Sequence, residues 1–173
     1  MAGFFYTVPN PCPPVADVGE SMYPRFKNRG IIAPPHPLFS LREVERLKEA
    51  IRLLVEELDP LGIYLFGSGA QGLLTPESDL DLAILGSKPY PPEHLFALRA
   101  PLSLLVGREV DLIDLRQAPL PLQAQVAAFG EPLYRKSLEA DRFLDLALKA
   151  YARLNEERAE ILGDIQKRGK VYG

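Results

Sequence analysis

Asp79 and Asp81 are the residues of this sequence best suited to do chemistry together, because they flank Leu80 at the start of an apolar run. In a β-strand, residues two apart point to the same side, so both carboxylates would face one way while Leu80 and Leu82 face the core. Two such carboxylates repel each other, and burial would raise their pKa values. A divalent cation removes this conflict, and Mg²⁺ commonly binds one or two carboxylates together with substrate phosphates.

A third carboxylate would complete such a site, and residues 110–115 offer two aspartates in another apolar run. Asp111 lies between apolar residues, where a merely solvated aspartate would be unusual. We therefore predict that Asp111 joins Asp79 and Asp81 as a metal ligand and catalytic residue. Asp114 points to the opposite face of the same strand and ranks second.

A glycine-rich turn at residues 67–72 precedes the acidic pair. Backbone amides in such a turn can point at phosphate oxygens, and glycine lets the chain approach a ligand closely. We predict that Gly67, Ser68 and Gly69 bind the nucleotide, with the Ser68 hydroxyl donating to the terminal phosphates. Ser78, directly before the acidic pair, is a further candidate nucleotide-binding residue.

These parts together predict a two-metal phosphoryl-transfer site. One metal would activate the acceptor hydroxyl, and the other would hold the triphosphate and neutralise the leaving pyrophosphate. Asp111 would act as the base, or as a ligand of the metal that acidifies the acceptor. A glycine-rich turn or an Asp-x-Asp pair is a weak signal by itself, and only their conjunction carries this prediction.

The order of predicted elements is helix, strand, glycine turn, strand, helix, strand, helix. It indicates an α+β (α/β) fold with a small mixed sheet backed by helices. The capping box of Ser40 and Glu43 starts the first helix, and Pro101 is expected to kink or split the second. The predicted elements are strands at 63–66, 80–84 and 110–115, a short edge strand at 133–134, helices from 41, at 91–106 and at 119–129, and a long amphipathic helix at about 138–168.

Residues 1–37 differ from the rest of the chain, since they contain eight of its 17 prolines. Proline lacks a backbone donor and restricts the residue before it, which excludes helix over most of this segment. We predict an extended or disordered proline-rich arm over residues 1–37 and a single domain over residues 38–173.

Composition narrows the class of protein further. The formal net charge of −3 disfavours broad binding of nucleic-acid backbones, which usually needs a basic patch, although it leaves recognition of a specific RNA end open. A lone cysteine, Cys12, can form neither an internal disulfide nor a zinc site. No run reaches the roughly 18–20 apolar residues of a membrane span, and no secretory signal is evident. These features predict a cytoplasmic protein without a membrane segment.

The spacing of the motifs resembles the signature of the DNA polymerase beta-type nucleotidyltransferase superfamily, specifically its minimal nucleotidyltransferase (MNT) branch. That signature is Gly-Ser, ten residues, then Asp-x-Asp, and residues 67–68 and 79–81 match it. Asp111 matches the family's third carboxylate, which sits on a later strand in a Val-Asp-Leu context. The resemblance covers about residues 40–136, and the long last helix also fits. Gln71 stands where the family often has arginine, so nucleotide affinity and turn geometry are less well defined.

The resemblance also implies a function. It implies a magnesium-dependent nucleotidyltransferase, with two Mg²⁺ ions and ATP as the substrate. MNT proteins of this size often pair with a separate HEPN protein, as the antitoxin of a toxin–antitoxin system. Such antitoxins resemble enzymes that transfer AMP from ATP to a tyrosine of the toxin. We therefore expect an AMPylating antitoxin with a HEPN-type toxin as its partner.

Three other functions remain open at this point. Nucleotide transfer to an aminoglycoside hydroxyl usually needs an extra domain, and about 35 residues after the sheet leave little room for one. A non-catalytic module could neutralise a toxin by contact alone, but Asp79, Asp81 and Asp111 are all present. Tail addition to RNA is disfavoured by the acidic balance.

Overall fold

The backbone forms a mixed sheet with helices on both faces. The computed structural model describes residues 30–31, 40–67, 75 and 77–167. The strands in these ranges are β1 (Gly30–Ile31), β2 (Gly62–Phe66), β3 (Leu80–Leu85), β4 (Val110–Asp114) and β5 (Glu131–Arg135). The helices are α1 (Leu41–Leu58), α2 (Pro92–Val106), α3 (Leu120–Phe129) and α4 (Leu138–Lys167). The predicted fold class and order of elements are confirmed.

The strands of this sheet lie in the order β1-β5-β2-β3-β4. Only β3 and β4 pair in parallel among the described strands, and the other pairs are antiparallel. The prediction of an edge strand at 133–134 is wrong, because β5 lies between β1 and β2. The edge partner Gly30–Ile31 comes from the proline-rich arm, whose composition carries no strand signal. The remainder of residues 1–37 lies outside the described residues, so the predicted arm and its boundary stay predictions.

Helix α1 begins at the predicted capping box. The Glu43 amide donates to the Ser40 hydroxyl at 3.3 Å, and the Ser40 amide donates to the Glu43 carboxylate at 2.8 Å. These two bonds satisfy backbone donors that a helix start would otherwise leave free. The helix ends at Asp59, whose left-handed backbone (φ 42°) lets its amide donate to the Val55 carbonyl.

Apolar side chains cover both faces of the sheet. One cluster joins α1 and α2 to the face that carries Leu80, Leu82 and Ile84, and a second joins α3 and α4 to the face that carries Ala83 and Leu85. The sequence pattern predicted one apolar face for β3, but the structure buries both faces from Leu82 onward. The acidic residues interrupt the second face only at the start of the strand.

Pro101 lies inside α2 without splitting it, so the expected split is wrong, while the expected kink stays a prediction. A proline leaves the carbonyl four residues earlier without its helical donor. That carbonyl belongs to Ala97, which is exposed and can be hydrated. Leu98 and Leu102 on the opposite side are buried in the first cluster and hold the helix against the sheet.

The last helix, α4, confirms the predicted long amphipathic helix. Among the side chains of α4 that the structure describes, the buried ones are Ala140, Leu144 and Ala147, which lie in its first third. Residues 156–162 are exposed, so the helix packs mainly through its N-terminal part. No helix within the described residues is long and apolar enough to cross a membrane.

A substitution in α1 tests how far this core holds the sheet in place. Leu54 is completely buried, whereas Leu104 in α2 is 86% exposed. We expect Leu54→Ala to lower the free energy of unfolding by about 2–5 kcal/mol, because it removes methyl groups and leaves a cavity. Leu104→Ala, which removes the same atoms from the surface, should change it by less than about 0.5 kcal/mol. Urea denaturation of both variants measures the difference, and equal losses would contradict the described packing.

Candidate active site

The acidic pair lies at the start of β3. Asp79 is exposed and comes one residue before the strand, while Asp81 is half-buried within it. Leu80 and Leu82 are completely buried in the first cluster, so Asp81 points to the opposite face of the sheet. The predicted division between core-facing leucines and outward aspartates is therefore confirmed at this end of the strand.

The surroundings of Asp81 favour its neutral form. Burial, together with the nearby negative charge of Asp79, raises the pKa of the Asp81 carboxyl to about 6. These are the two effects expected when like charges share a partly dry site. A bound cation would reverse both effects by favouring the charged carboxylate.

Asp111 lies next to Asp81 across the parallel pairing of β3 and β4. The two residues are register partners, and the Asp111 side chain is 16% exposed. Its carboxylate contacts the guanidinium of Arg99, which reaches it from α2 as an ion pair. Within the described ranges, no three Asp, Glu, His or Cys side chains form a group ready to hold a metal. The strand register thus supports the predicted neighbourhood, and the shared metal site stays a prediction.

Asp114, the second choice for the third carboxylate, serves a local structural role. Its oxygens accept hydrogen bonds from the Tyr90 amide at 2.8 Å, the Arg116 amide at 2.9 Å and the Gln117 side chain at 3.0 Å. It is buried on the strand face opposite Asp111, as the alternation predicted. These bonds occupy both of its oxygens and join the segment before α2 to the turn after β4.

Gly67 directly follows β2 and closely approaches the acidic pair. Its backbone is left-handed (φ 69°), and a Cβ atom there would lie 2.6 Å from Oδ2 of Asp81. Only glycine satisfies both conditions without strain. The other residues predicted to contact nucleotide in this turn, Ser68 and Gly69, lie outside the described residues, as does Gln71.

Ser78 closes a turn immediately before Asp79. Its hydroxyl accepts from the Thr75 amide at 2.9 Å and shares a hydrogen bond with the Thr75 hydroxyl at 2.9 Å. The nucleotide-binding role predicted for Ser78 stays a prediction, because these bonds show the serine only in its turn.

Two arginines beside the site were not predicted from the sequence. Arg99 contacts Asp111, and Arg108 contacts the backbone of the turn that ends at Ser78. Each lies far from its partners along the chain, and no local motif marks either residue. The packing of α2 on the sheet and the pairing of β4 with β3 bring the two arginines to the site.

The donor set suits a hard divalent cation. Asp79 and Asp81 offer carboxylate oxygens, which Mg²⁺ prefers, beside a turn that leaves no room for a side chain at Gly67. The mutual repulsion at Asp81 is the kind that a bound cation relieves. Asp111 would have to leave Arg99 in order to add a third ligand.

A family comparison agrees with this geometry. The family model described as "Polymerase beta, Nucleotidyltransferase" matches residues 48–139, which include Gly67, Asp79, Asp81 and Asp111. The chain belongs to this family. The expected nucleotidyltransferase class of enzyme is therefore confirmed, and the matched range runs from within α1 into the start of α4.

Individual relatives of this nucleotidyltransferase include a protein adenylyltransferase. The chain is 33% identical over 116 residues to "Protein adenylyltransferase MntA" from Shewanella oneidensis, which covers 66% of the chain and 84% of that relative. A crystal structure of a toxin–antitoxin with AMP-PNP contains a chain 31% identical, with a TM-score of 0.58. That match covers 68% of the present chain and 97% of the other.

A second solved structure that the chain resembles contains an AMPylated toxin. It is described as a tri-AMPylated Shewanella oneidensis HEPN toxin in complex with MNT antitoxin. The matched chain is 28% identical with a TM-score of 0.58, and the match covers 72% of the present chain and 98% of the other. The predicted resemblance to the antitoxins of HEPN/MNT pairs is confirmed.

Replacing Gly67 should damage both the backbone and the acidic pair. In Gly67→Ala, the left-handed conformation costs roughly 1–2 kcal/mol, and the new methyl group displaces the Asp81 carboxylate. We expect a lower melting temperature and weaker binding of Mn²⁺, measured by calorimetry as a stand-in for Mg²⁺. Gly163→Ala in α4 is the matched control, since its Cβ meets open space and alanine favours helix. Equal behaviour of the two variants would contradict the described approach of Gly67 to Asp81.

The raised pKa of Asp81 predicts a pH dependence of stability in the metal-free protein. Between the ordinary value of 3.8 and about 6, the folded state binds more protons at this residue than the unfolded state does. The contribution of Asp81 to stability should therefore fall as pH rises through this window. Urea denaturation at several pH values, with and without Asp81→Asn, measures this contribution. The variant should lack that part of the slope, and an unchanged slope would contradict the raised pKa.

Proposed function

We propose that the protein is a magnesium-dependent adenylyltransferase that transfers AMP from ATP to a tyrosine hydroxyl of a HEPN-type toxin in the cytoplasm. It would act as the antitoxin of that pair. The observation that carries the proposal is the pairing of Asp81 with Asp111 in register, beside Asp79 and Gly67, in a chain 33% identical to a protein adenylyltransferase. The solved complexes of related chains with AMP-PNP and with an AMPylated HEPN toxin support the same donor and partner.

The transfer requires one bond to form and one to break at the α-phosphorus of ATP. The tyrosine oxygen bonds to this phosphorus, the bond from phosphorus to the oxygen bridging the α- and β-phosphates breaks, and pyrophosphate leaves. A phenol has a pKa of about 10, so its proton must be drawn off at neutral pH. Bound Mg²⁺ would neutralise charge on the triphosphate and on the leaving pyrophosphate, and would acidify the acceptor.

Different residues of the chain would have different roles in this transfer. Asp79 and Asp81 would hold Mg²⁺, and Asp111 would serve as a third ligand or as the base. Gly67, Ser68 and Gly69 would receive the triphosphate through backbone amides and the serine hydroxyl.

The surroundings of the acidic residues favour a large acceptor. Asp79 is exposed, and a groove of about 430 Å³ runs beside β4 between α2 and α3, lined by residues that include Phe96 and Arg99. Arg99 links the two places, because it lines the groove and contacts Asp111. An open arrangement of this kind suits an acceptor that brings its own complementary surface.

The test is transfer of AMP to the toxin. The protein is incubated with ATP, Mg²⁺ and a HEPN-type toxin from the same genome, and modified residues are located by mass spectrometry. We expect AMP on tyrosine, and we expect Asp79→Asn and Asp81→Asn each to lower the rate by about a thousandfold or more, since each removes a carboxylate that would hold Mg²⁺, whose positive charge stabilises the transition state. Asp164→Asn, the same change at an exposed position on α4, should leave the rate unchanged.

The same experiment separates catalysis from contact. A toxin that stays unmodified, yet is bound and neutralised equally well by the Asp79→Ala, Asp81→Ala double variant, would replace the proposal with a contact-only antitoxin. Modification of a residue other than tyrosine would retain the enzyme and correct its acceptor.

A further inference from the structure

Arg108 lies in the short connection between α2 and β4, and its side chain points inward. The helix ends at Gly107, whose left-handed backbone (φ 77°) lets its amide donate to the Ser103 carbonyl at 2.9 Å. The next side chain, Arg108, is only 11% exposed, which is unusual for an arginine in a loop. A buried guanidinium is stable only where its donors are satisfied, so its partners are informative.

The guanidinium of Arg108 joins two separate parts of the chain. One nitrogen, Nη1, donates to the carbonyl oxygens of Thr75 at 3.2 Å and Ser78 at 3.4 Å. The other, Nη2, donates to the Glu43 carboxylate at 3.0 Å. A planar guanidinium can serve such divergent acceptors at once, whereas a lysine ammonium offers only a point charge.

The partner on α1 is itself held in place. Hydrogen bonds from the backbone and side chain of Ser40 lower the pKa of the Glu43 carboxyl, and the charge of Arg108 adds to the effect. Glu43 is also the carboxylate of the capping box that starts α1. The guanidinium is thus fixed to the first turn of a helix that packs on the sheet.

The partner on the other side is the turn that leads into the acidic pair. The Ser78 amide donates to the Thr75 carbonyl at 3.0 Å, and the Leu80 amide donates to the Glu109 carbonyl at 2.8 Å. Asp79 lies between these two anchored points. Its own carboxylate has no hydrogen bond or ion pair with any described residue, so the backbone on either side determines where it lies.

We propose that Arg108 is a positioning residue for Asp79: by holding the carbonyls of Thr75 and Ser78 against α1, it sets where the Asp79 carboxylate stands relative to Asp81. Arg108 does not contact the reacting atoms. The proposal rests on the proposed function for the identity of the metal, but the positions of the two carboxylates can be tested without turnover.

The test compares Mn²⁺ binding by Arg108→Met, Arg108→Lys and Arg153→Met with that of the wild-type protein, by electron paramagnetic resonance without ATP. Residues that orient metal ligands typically change metal affinity by about 10- to 100-fold when replaced. We expect Arg108→Met to bind Mn²⁺ at least about tenfold more weakly. Arg153→Met is the matched control, because Arg153 is 83% exposed and pairs only along α4.

Hydrogen exchange shows whether the effect is confined to the turn, and the Mn²⁺ affinity of a folded variant is the readout that a purely structural role would not change. In Arg108→Met, amides of residues 77–80 should exchange faster, while those of β2 and β5 keep wild-type rates. Arg108→Lys keeps a positive charge opposite Glu43. If Arg108→Met fails to fold, Arg108→Lys is the variant that tests the proposal. We expect it to fold, to bind Mn²⁺ more weakly than wild type and to show the same local increase in exchange.

The outcomes separate this proposal from the proposed function. A folded Arg108→Lys with wild-type Mn²⁺ affinity and exchange overturns the positioning role of the guanidinium. A wild-type protein that binds Mn²⁺ but transfers no AMP overturns the proposed function, and the loss of Mn²⁺ affinity in the Arg108 variants still supports positioning. Absence of Mn²⁺ binding by the wild-type protein overturns the positioning proposal, whereas the proposed function is decided by AMP transfer alone.

Discussion

The parallel pairing of β3 with β4 is the interaction on which the candidate site depends. It aligns Asp81 with Asp111, and its two ends are anchored by the bonds from Leu80 to Glu109 and from Leu115 to Ile84. Parallel neighbours cannot be joined by a tight turn, so a crossover element must connect them. Helix α2 fills that role and also brings Arg99 and Arg108 to the two sides of the acidic residues.

Asp81 is partly buried at one end of the sheet, where burial disfavours its charged form. The central strands are covered by helices on both faces, yet Asp81 stands at the point where that cover ends. Its ionised form is disfavoured by burial and by Asp79, and the close approach of Gly67 leaves its carboxylate little freedom to turn away. A neutral side chain at this position would remove this electrostatic cost, and the cation proposed to bind here would offset it.

Local signals in the sequence were sufficient for much of the fold and for the position of Asp79 and Asp81 at the start of β3. The capping box of Ser40 and Glu43 and the alternation around Asp81 each act over a few residues, and each pattern corresponds to what the backbone does. The pairing of β1 with β5, the continuous helix through Pro101 and the second buried face of β3 depend on contacts between distant segments. The contacts of Arg99 and Arg108 also depend on distant segments, because an arginine in the sequence gives no indication of which residue it will contact.

The crossover through α2 also determines when the site can exist during synthesis. The antiparallel pair of β2 and β3 is local and can close early, and it carries Gly67 and Asp81. Asp111 arrives only after α2 has been made, and pairings that span such a distance form slowly, because the intervening chain must first lose its conformational freedom. A nascent chain that ends within α2 would hold Asp79 and Asp81 but lack both Arg108 and Asp111. The proposed site of three carboxylates would thus come into existence only once β4 has paired with β3.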